Sequence, residues 1–298
     1  MRTVRTVSEL RAALRPARRA ELTIGLVPTM GALHEGHLSL IRQARAECDQ
    51  VVVSLFVNPA QFNEHADLER YPRSEEHDAG LAANAGADLL FAPSVEEVYP
   101  PRFATSVEVL GVTDRLEGAT RGAAHFRGVS TVVTKLLGMA MPDIAYFGQK
   151  DAQQVVVIRR LVEDLNLPVH VEVCPTVREP DGLAMSSRNV HLRPDERVRA
   201  RALRRALEAA RELSLDGERS AAALLSAARA ALEQFAVEPE YLELVDPDTL
   251  EPVEALECPG LLAVAAYVGD TRLIDNELLT PASTSADPEP RTEQICSV

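Results

Sequence analysis

His34 and His37 stand three residues apart at the end of the run Pro-Thr-Met-Gly-Ala-Leu-His-Glu-Gly-His, a spacing that puts both on one face of a helix. Three chemistries suit such a pair. The rings can cap a helix as partly exposed side chains, open a zinc site, or hold the oxygens of a phosphate. Zinc needs a third ligand at metal spacing; none follows, and the HExxH pattern is absent. The flanking residues point to an anion. Leu22 to Val27 is a short apolar run rich in β-branched residues and reads as a buried strand. The strand is expected to end at Pro28, which has no donor for a ladder. Gly31 and Gly36 allow close backbone approach. From Leu33 the apolar positions take helical spacing through His37, Leu40, Ile41 and Ala44, so a helix begins near Glu35. A strand, a glycine-containing turn and a helix together aim free N–H groups and the positive end of a dipole at one point, where a phosphate binds.

Two other stretches end predicted strands. Asn58 to Phe62 follows the second, and Gly148 to Gln154 follows the one ending at Phe147. Taken singly each is an ordinary polar loop; in a doubly wound sheet both open beside the histidine turn. Gln61 and Gln154 are neutral amides that donate and accept. They suit a small hydroxy acid and leave its carboxylate nucleophilic. Met185-Ser186-Ser187-Arg188-Asn189, after the turn at Gly182, offers two hydroxyls and a guanidinium that can wrap phosphates; standing alone it reads rather as a helix-capping serine pair. Of 31 basic residues only Lys135 and Lys150 are lysine. A lysine kept in so arginine-rich a chain marks a place where a planar fork does not fit.

The elements that must position these groups alternate. A first helix is expected with Ser8 as its N-cap, in preference to a transit peptide built on the six arginines of residues 1–19. Strands are predicted at Gln50 to Val57, Asp88 to Phe91, Thr105 to Leu110, Asp143 to Phe147 and Val169 to Val173. Helices are predicted at Ser74 to Asn84, Val129 to Ala140 and Gln153 to Leu165. This order implies an α/β fold, a doubly wound Rossmann-like parallel sheet with ligand at the carboxyl ends of its strands. The Pro/Gly-rich run Cys174 to Leu183 marks the boundary between a first domain (1–176) and a smaller C-terminal α+β domain (177–280). In the latter, helices at Asp195 to Leu213 and Ser220 to Phe235 precede strands at Tyr241 to Val245 and Leu261 to Val268. Residues 281–298 have little to bury and read as a disordered tail. A net charge of −14 and a pI near 5.0 argue against a general nucleic-acid binder. No apolar run reaches membrane-spanning length. Four cysteines without paired spacing fit a reduced, cytoplasmic setting.

The Pro28 to His37 run closely resembles the signature of the pantothenate synthetase (pantoate–β-alanine ligase) family, within the His-x-Gly-His nucleotidyltransferases, and the resemblance extends from about Thr6 to Asn276. It implies ATP-dependent condensation of pantoate with β-alanine, through a pantoyl adenylate. It implies ATP contacts at Met30, Gly31, Ala32, Leu33, His34, Glu35, Gly36, His37, Gly148, Gln149, Lys150, Asp151, Val177, Met185, Ser186, Ser187 and Arg188. Among these, His34, His37, Lys150 and Arg188 would act in catalysis. Gln61 and Gln154 would hold pantoate, and Gln61 also β-alanine. The resemblance further implies Mg2+ with ATP, a cytoplasmic homodimer, and a second domain acting as a lid. One region departs: where many members carry an acidic pair near the metal, this chain has His77-Asp78, which leaves Asp78 as the metal candidate. Two rivals are a plain nucleotidyltransferase, which would want cations in its acceptor pocket, and a nucleotide sensor, which need not keep the clamp on the leaving group.

Overall fold

The structure, a computed structural model, describes residues 1–62, 68, 69 and 71–281. These residues divide into two compact units, Met1–Val190 and a second beginning at His191. The first unit therefore holds Val177 and the Met185 to Arg188 stretch together with every other candidate residue.

A six-stranded parallel sheet organises the first unit, in the order β1-β4-β3-β2-β5-β6. The strands are β1 (Arg2–Val4), β2 (Ile24–Thr29), β3 (Gln50–Leu55), β4 (Leu89–Phe91), β5 (Ile144–Gly148) and β6 (His170–Cys174). Both faces are covered, which is why β3 reads as an unbroken apolar run. On one face α1 (Val7–Arg19), α4 (Ala123–Ala140) and α5 (Ala152–Asp164) pack Leu10, Leu14, Leu136 and Ile158 over Leu26 and Val52. On the other, α2 (Glu35–Glu47) and α3 (Glu75–Ala85) pack Ile41, Ala44 and Ala82 over Val27, Val51 and Val53. Adjacent residues of one strand thus serve opposite layers. Because β2 lies between β3 and β5 and all three run parallel, the loops after Thr29, Leu55 and Gly148 open at the same edge.

Several expectations fail locally. β2 runs through Pro28, which pairs in register with Ser54 of β3, while the ladder to β5 is recorded only at Gly25 and Leu26. With one paired neighbour there, the missing N–H costs little. The first helix is capped by Thr6, not Ser8: the Thr6 hydroxyl accepts from the Glu9 N–H while the Glu9 carboxylate accepts from the Thr6 N–H, a reciprocal box that Ser8 cannot form. Thr105 to Leu110 is not a strand. The Val107 N–H donates to the Thr131 hydroxyl on α4 instead of to a ladder. The helix expected from Val129 begins at Ala123, running straight through Gly128.

In the second unit, helices α6 (Pro194–Ala200), α7 (Ala202–Leu215) and α8 (Ala221–Glu233) accompany an antiparallel sheet of β7 (Pro239–Val245), β8 (Gly260–Val268) and β9 (Thr271–Leu279). The single helix expected over Asp195 to Leu213 is divided at Arg201, and β9 was not anticipated. Asp246 forms a local turn, its Oδ1 accepting from the Asp248 and Thr249 N–H groups. The tail from residue 282 lies outside the described residues.

Gly128 does more than continue a helix. A Cβ there would stand 2.2 Å from the Ala60 carbonyl oxygen, so α4 presses directly on the turn that carries Gln61. Gly128→Ala should therefore destabilise the protein by about 1–3 kcal/mol, as overpacking does, despite alanine's better helix propensity. Urea unfolding checks this; an unchanged or raised midpoint would show that the turn yields freely.

Candidate functional site

The histidine turn is built by reciprocal capping. His34 is the N-cap of α2, and its Nδ1 accepts from the Gly36 N–H at 3.2 Å; His37 returns the bond, its Nδ1 accepting from the His34 N–H at 3.3 Å. A backbone N–H can only donate, so each Nδ1 is an acceptor and each proton sits on Nε2. The rings lie 4.1 Å apart. Burial and the neighbouring Lys150 hold His34 below the ordinary imidazole range. Burial, with His34 beside it, brings His37 down to about 3. Both rings are therefore neutral Nε2–H donors at neutral pH. Gly36 is required here because a Cβ would lie 2.9 Å from His34 Cε1.

Most of the backbone amides expected to be free at this turn are already engaged. The Gly31 N–H donates to Thr29 Oγ1, those of Ala32 and Leu33 to the Asp78 carboxylate, and that of His37 to the His34 carbonyl. These four amides are taken, so an anion at the turn meets the imidazole N–H groups in their place. Asp78 is also a poor metal ligand. It is 1% exposed, and each oxygen receives one of those two amides at 2.8–2.9 Å. Among the described residues no group of three or more His, Cys, Asp or Glu is placed to hold a metal ion.

The other candidates arrive from two directions. Gly148 ends β5, and Gln149–Asp151 form the 3-10 turn that leads into α5. There Lys150 Nζ lies 3.3 Å from Asp151 Oδ1, close enough to the histidines to bear on both. Gln154 follows, half-buried, in the first turn of α5. The stretch after β6 comes in beside them: the Met185 N–H donates to the Val177 carbonyl, and Met185 Cβ lies 3.7 Å from the point where a Cβ of Gly36 would be. Asn189 anchors this loop by donating to Glu179 and to the Ala184 carbonyl. Tyr71 lies close enough to Ser187 and Arg188 for both to act on its hydroxyl, which burial holds above the ordinary phenol range. Lys135 faces aromatic rings, its Nζ 4.5 Å from the Phe103 ring centroid and 6.0 Å from that of Tyr99, a cation–π arrangement.

Gln61 is held with a defined polarity. Asn58, 1% exposed, sits beneath it. Its Nδ2 donates to the Gly128 carbonyl at 3.1 Å, while its Oδ1 accepts from the Ala60 N–H at 3.3 Å and the Tyr99 hydroxyl at 2.7 Å. A carbonyl on one side and an amide N–H on the other leave that side chain one orientation. Asn58 Nδ2 also donates to Gln61 Oε1 at 3.0 Å, so the Gln61 NH2 is the end left to face a ligand. His125 Nδ1 lies 2.7 Å from the Gln61 carbonyl. Sequence reasoning missed Asn58, Tyr71, Tyr99, His125 and Gly128. Only Asn58 left a signal, as an Asn-Pro cap before Gln61.

The profile described as pantoate-beta-alanine ligase matches residues 2–278. Pantothenate synthetase 1 of Bradyrhizobium diazoefficiens is 54% identical over 281 residues, covering 94% of this chain and 99% of its own length. The pantothenate synthetase of Thermotoga neapolitana is 54% identical over 94% of this chain and its whole length. Among solved structures, the pantothenate synthetase of Thermus thermophilus superimposes with a TM-score of 0.89 at 49% identity, over 94% of this chain and 100% of its own. The pantoate-beta-alanine ligase of Francisella tularensis, complexed with β-γ ATP and β-alanine, gives a TM-score of 0.77 at 34% identity over 93% of this chain and 97% of its own.

The low pKa of His37 carries a stability signature. An unfolded histidine titrates near 6.5. Between about pH 6.5 and 3 the unfolded chain binds a proton that folded His37 refuses, so stability falls as pH drops through that window. The slope from this residue approaches one proton, about 1.4 kcal/mol per pH unit. His37→Gln should flatten the dependence of unfolding free energy on pH between 6 and 4 by close to one proton. Equal slopes in parent and variant would mean that His37 titrates normally in the folded protein.

Proposed function

The chain belongs to the pantoate–β-alanine ligase family, and on that premise we propose that the site described above forms pantoyl adenylate from ATP and pantoate and passes the acyl group to β-alanine. The overall reaction joins pantoate and β-alanine as pantothenate, with ATP consumed to AMP and pyrophosphate. The observation that carries the site assignment is the pair of neutral Nε2–H donors at the turn after β2, with Lys150 beside them.

In the first step a pantoate carboxylate oxygen attacks the α-phosphorus, and the bond from that phosphorus to the bridging oxygen breaks as pyrophosphate leaves. The carboxylate is already a nucleophile, so the protein's part is alignment and charge stabilisation. His34 and His37 donate to phosphate oxygens. Lys150, Ser186, Ser187 and Arg188 take up the charge that collects on pyrophosphate. Gln61 and Gln154 hold the hydroxy acid, the outward NH2 of Gln61 donating to its oxygens. In the second step the β-alanine amine, having lost its proton, attacks the acyl carbon and AMP leaves. Among the described residues no cluster of side chains is placed to hold a metal, and the divalent ion, read as Mg2+, enters with ATP as part of the substrate. The family resemblance supports a homodimer, which sedimentation tests directly.

A nucleotidyltransferase that stopped at AMP transfer to a phosphorylated acceptor would want cations around its acceptor; a neutral amide with its NH2 outward suits an oxyacid. Incubation with ATP, pantoate and β-alanine decides this reading, since AMP release that requires both acids belongs only to the ligase.

Two substitutions test the roles. Lys150→Arg keeps the charge but replaces a compact ammonium by a wider planar fork. It should lose at least about ten-fold in single-turnover adenylate formation, or ~1.4 kcal/mol of barrier; a variant as fast as the parent would reduce Lys150 to a mere charge. Gln61→Glu keeps the acceptor for Asn58 but turns a carboxylate oxygen toward the acid where the NH2 stood. The pantoate KM should rise by about ten-fold or more, corresponding to ~1.4 kcal/mol, with the ATP requirement little changed. Equal losses for both substrates would remove Gln61 from the acid pocket.

A further inference from the structure

We propose that Asp78 is the positioning residue that locks the histidine turn in a strained conformation, so that its carboxylate serves two backbone amides and not a metal ion. The inference deepens the adenylation reading and rests on it for its activity arm alone. The turn contains two successive residues of the left-handed region, Gly31 at φ +89 and Ala32 at φ +51. Glycine reaches that region readily, whereas alanine incurs a steric cost and stays only where its surroundings hold it. The restraint is visible. Asp78 Oδ2 accepts from the Ala32 N–H at 2.9 Å and Oδ1 from the Leu33 N–H at 2.8 Å. The residue is anchored in the first turn of α3, its own N–H donating to the Ser74 carbonyl.

Two neighbouring N–H groups need two acceptors. A carboxylate supplies both, while an amide supplies one oxygen and points its NH2 at the second N–H. The charge therefore has a structural use. By holding Ala32 and Leu33, Asp78 sets where His34 begins α2, and hence where both Nε2–H groups point. Gly31 fits the same arrangement: a Cβ there would lie 3.1 Å from Asp78 Oδ2.

Hydrogen exchange on the parent protein tests the clamp without any reaction. The amides of Ala32 and Leu33 should exchange slowly in the absence of nucleotide, and Mg2+ alone should not release them. In Asp78→Asn at least one of them should exchange about ten-fold faster or more, as an opening made easier by a lost hydrogen bond predicts. Single-turnover adenylate formation should slow by about ten-fold or more in the same variant. Glycine at position 32 needs no clamp to adopt a left-handed conformation, so Asp78→Asn combined with Ala32→Gly should recover a substantial part of that loss, whereas raised Mg2+ should recover none. Release of the two amides by Mg2+, rescue of Asp78→Asn by Mg2+, or slow adenylation that Ala32→Gly leaves unimproved would each overturn the proposal. If the parent forms no adenylate, the ligase reading fails while the exchange data still decide the clamp; if Asp78→Asn does not fold, the parent's exchange with and without Mg2+ decides it.

Discussion

The bonds exchanged between His34 and His37 across the first turn of α2 are the constraint on which the site depends. Each ring gives its Nδ1 to a backbone N–H, so one interaction ends the turn, starts the helix and fixes the tautomers. A helix start normally leaves N–H groups unsatisfied; here ring nitrogens take two of them and expose a proton on the far side of each ring. Structure and chemistry are not separable at this point. A carboxylate could cap in the same way but would have no proton to donate.

The electrostatics follow from that choice. The chain carries a net charge of −14, and the turn itself sits on a buried carboxylate, Asp78. Attraction for a polyanion must come from a few placed cations, and the histidines add directional hydrogen bonds without adding charge. Burial keeps them neutral, and Lys150 works in the same direction at His34. The ammonium proposed to hold phosphate thereby also keeps its neighbour a donor of one N–H in a defined direction.

The side proposed to bind the hydroxy acid is ordered in a similar way. Gln61 is an amide that could turn either end outward, and its own surroundings do not decide which. Asn58 decides it, because Asn58 is caught between a carbonyl that can only accept and an N–H that can only donate. The polarity of the pocket thus traces back to the backbone of Gly128 and Ala60. These meet because a glycine in α4 lets the helix press on the turn.

Periodicity and composition were enough to establish the α/β alternation, the parallel sheet implied by β3, the helix after the histidine turn, and the group of residues at one sheet edge. These are legible because strand and helix patterns repeat over short distances, and because in a parallel sheet the loops after neighbouring strands must open together. The details that turn this edge into a site are contacts between distant segments. Ala32 meets Asp78 across 46 positions and Asn58 meets Gly128 across 70. No local pattern marks such partners, since a buried aspartate and an exposed one are the same letter. Asp78 shows the difference most plainly: the family resemblance made it the metal candidate, whereas the packing of α3 beneath the turn gives both of its oxygens to the backbone. Pro28 belongs with these: β2 runs through it because the ladder to β5 has already ended there, which no local pattern tells. The cap of α1 is the opposite case, a Thr-x-x-Glu box that lies in the sequence itself.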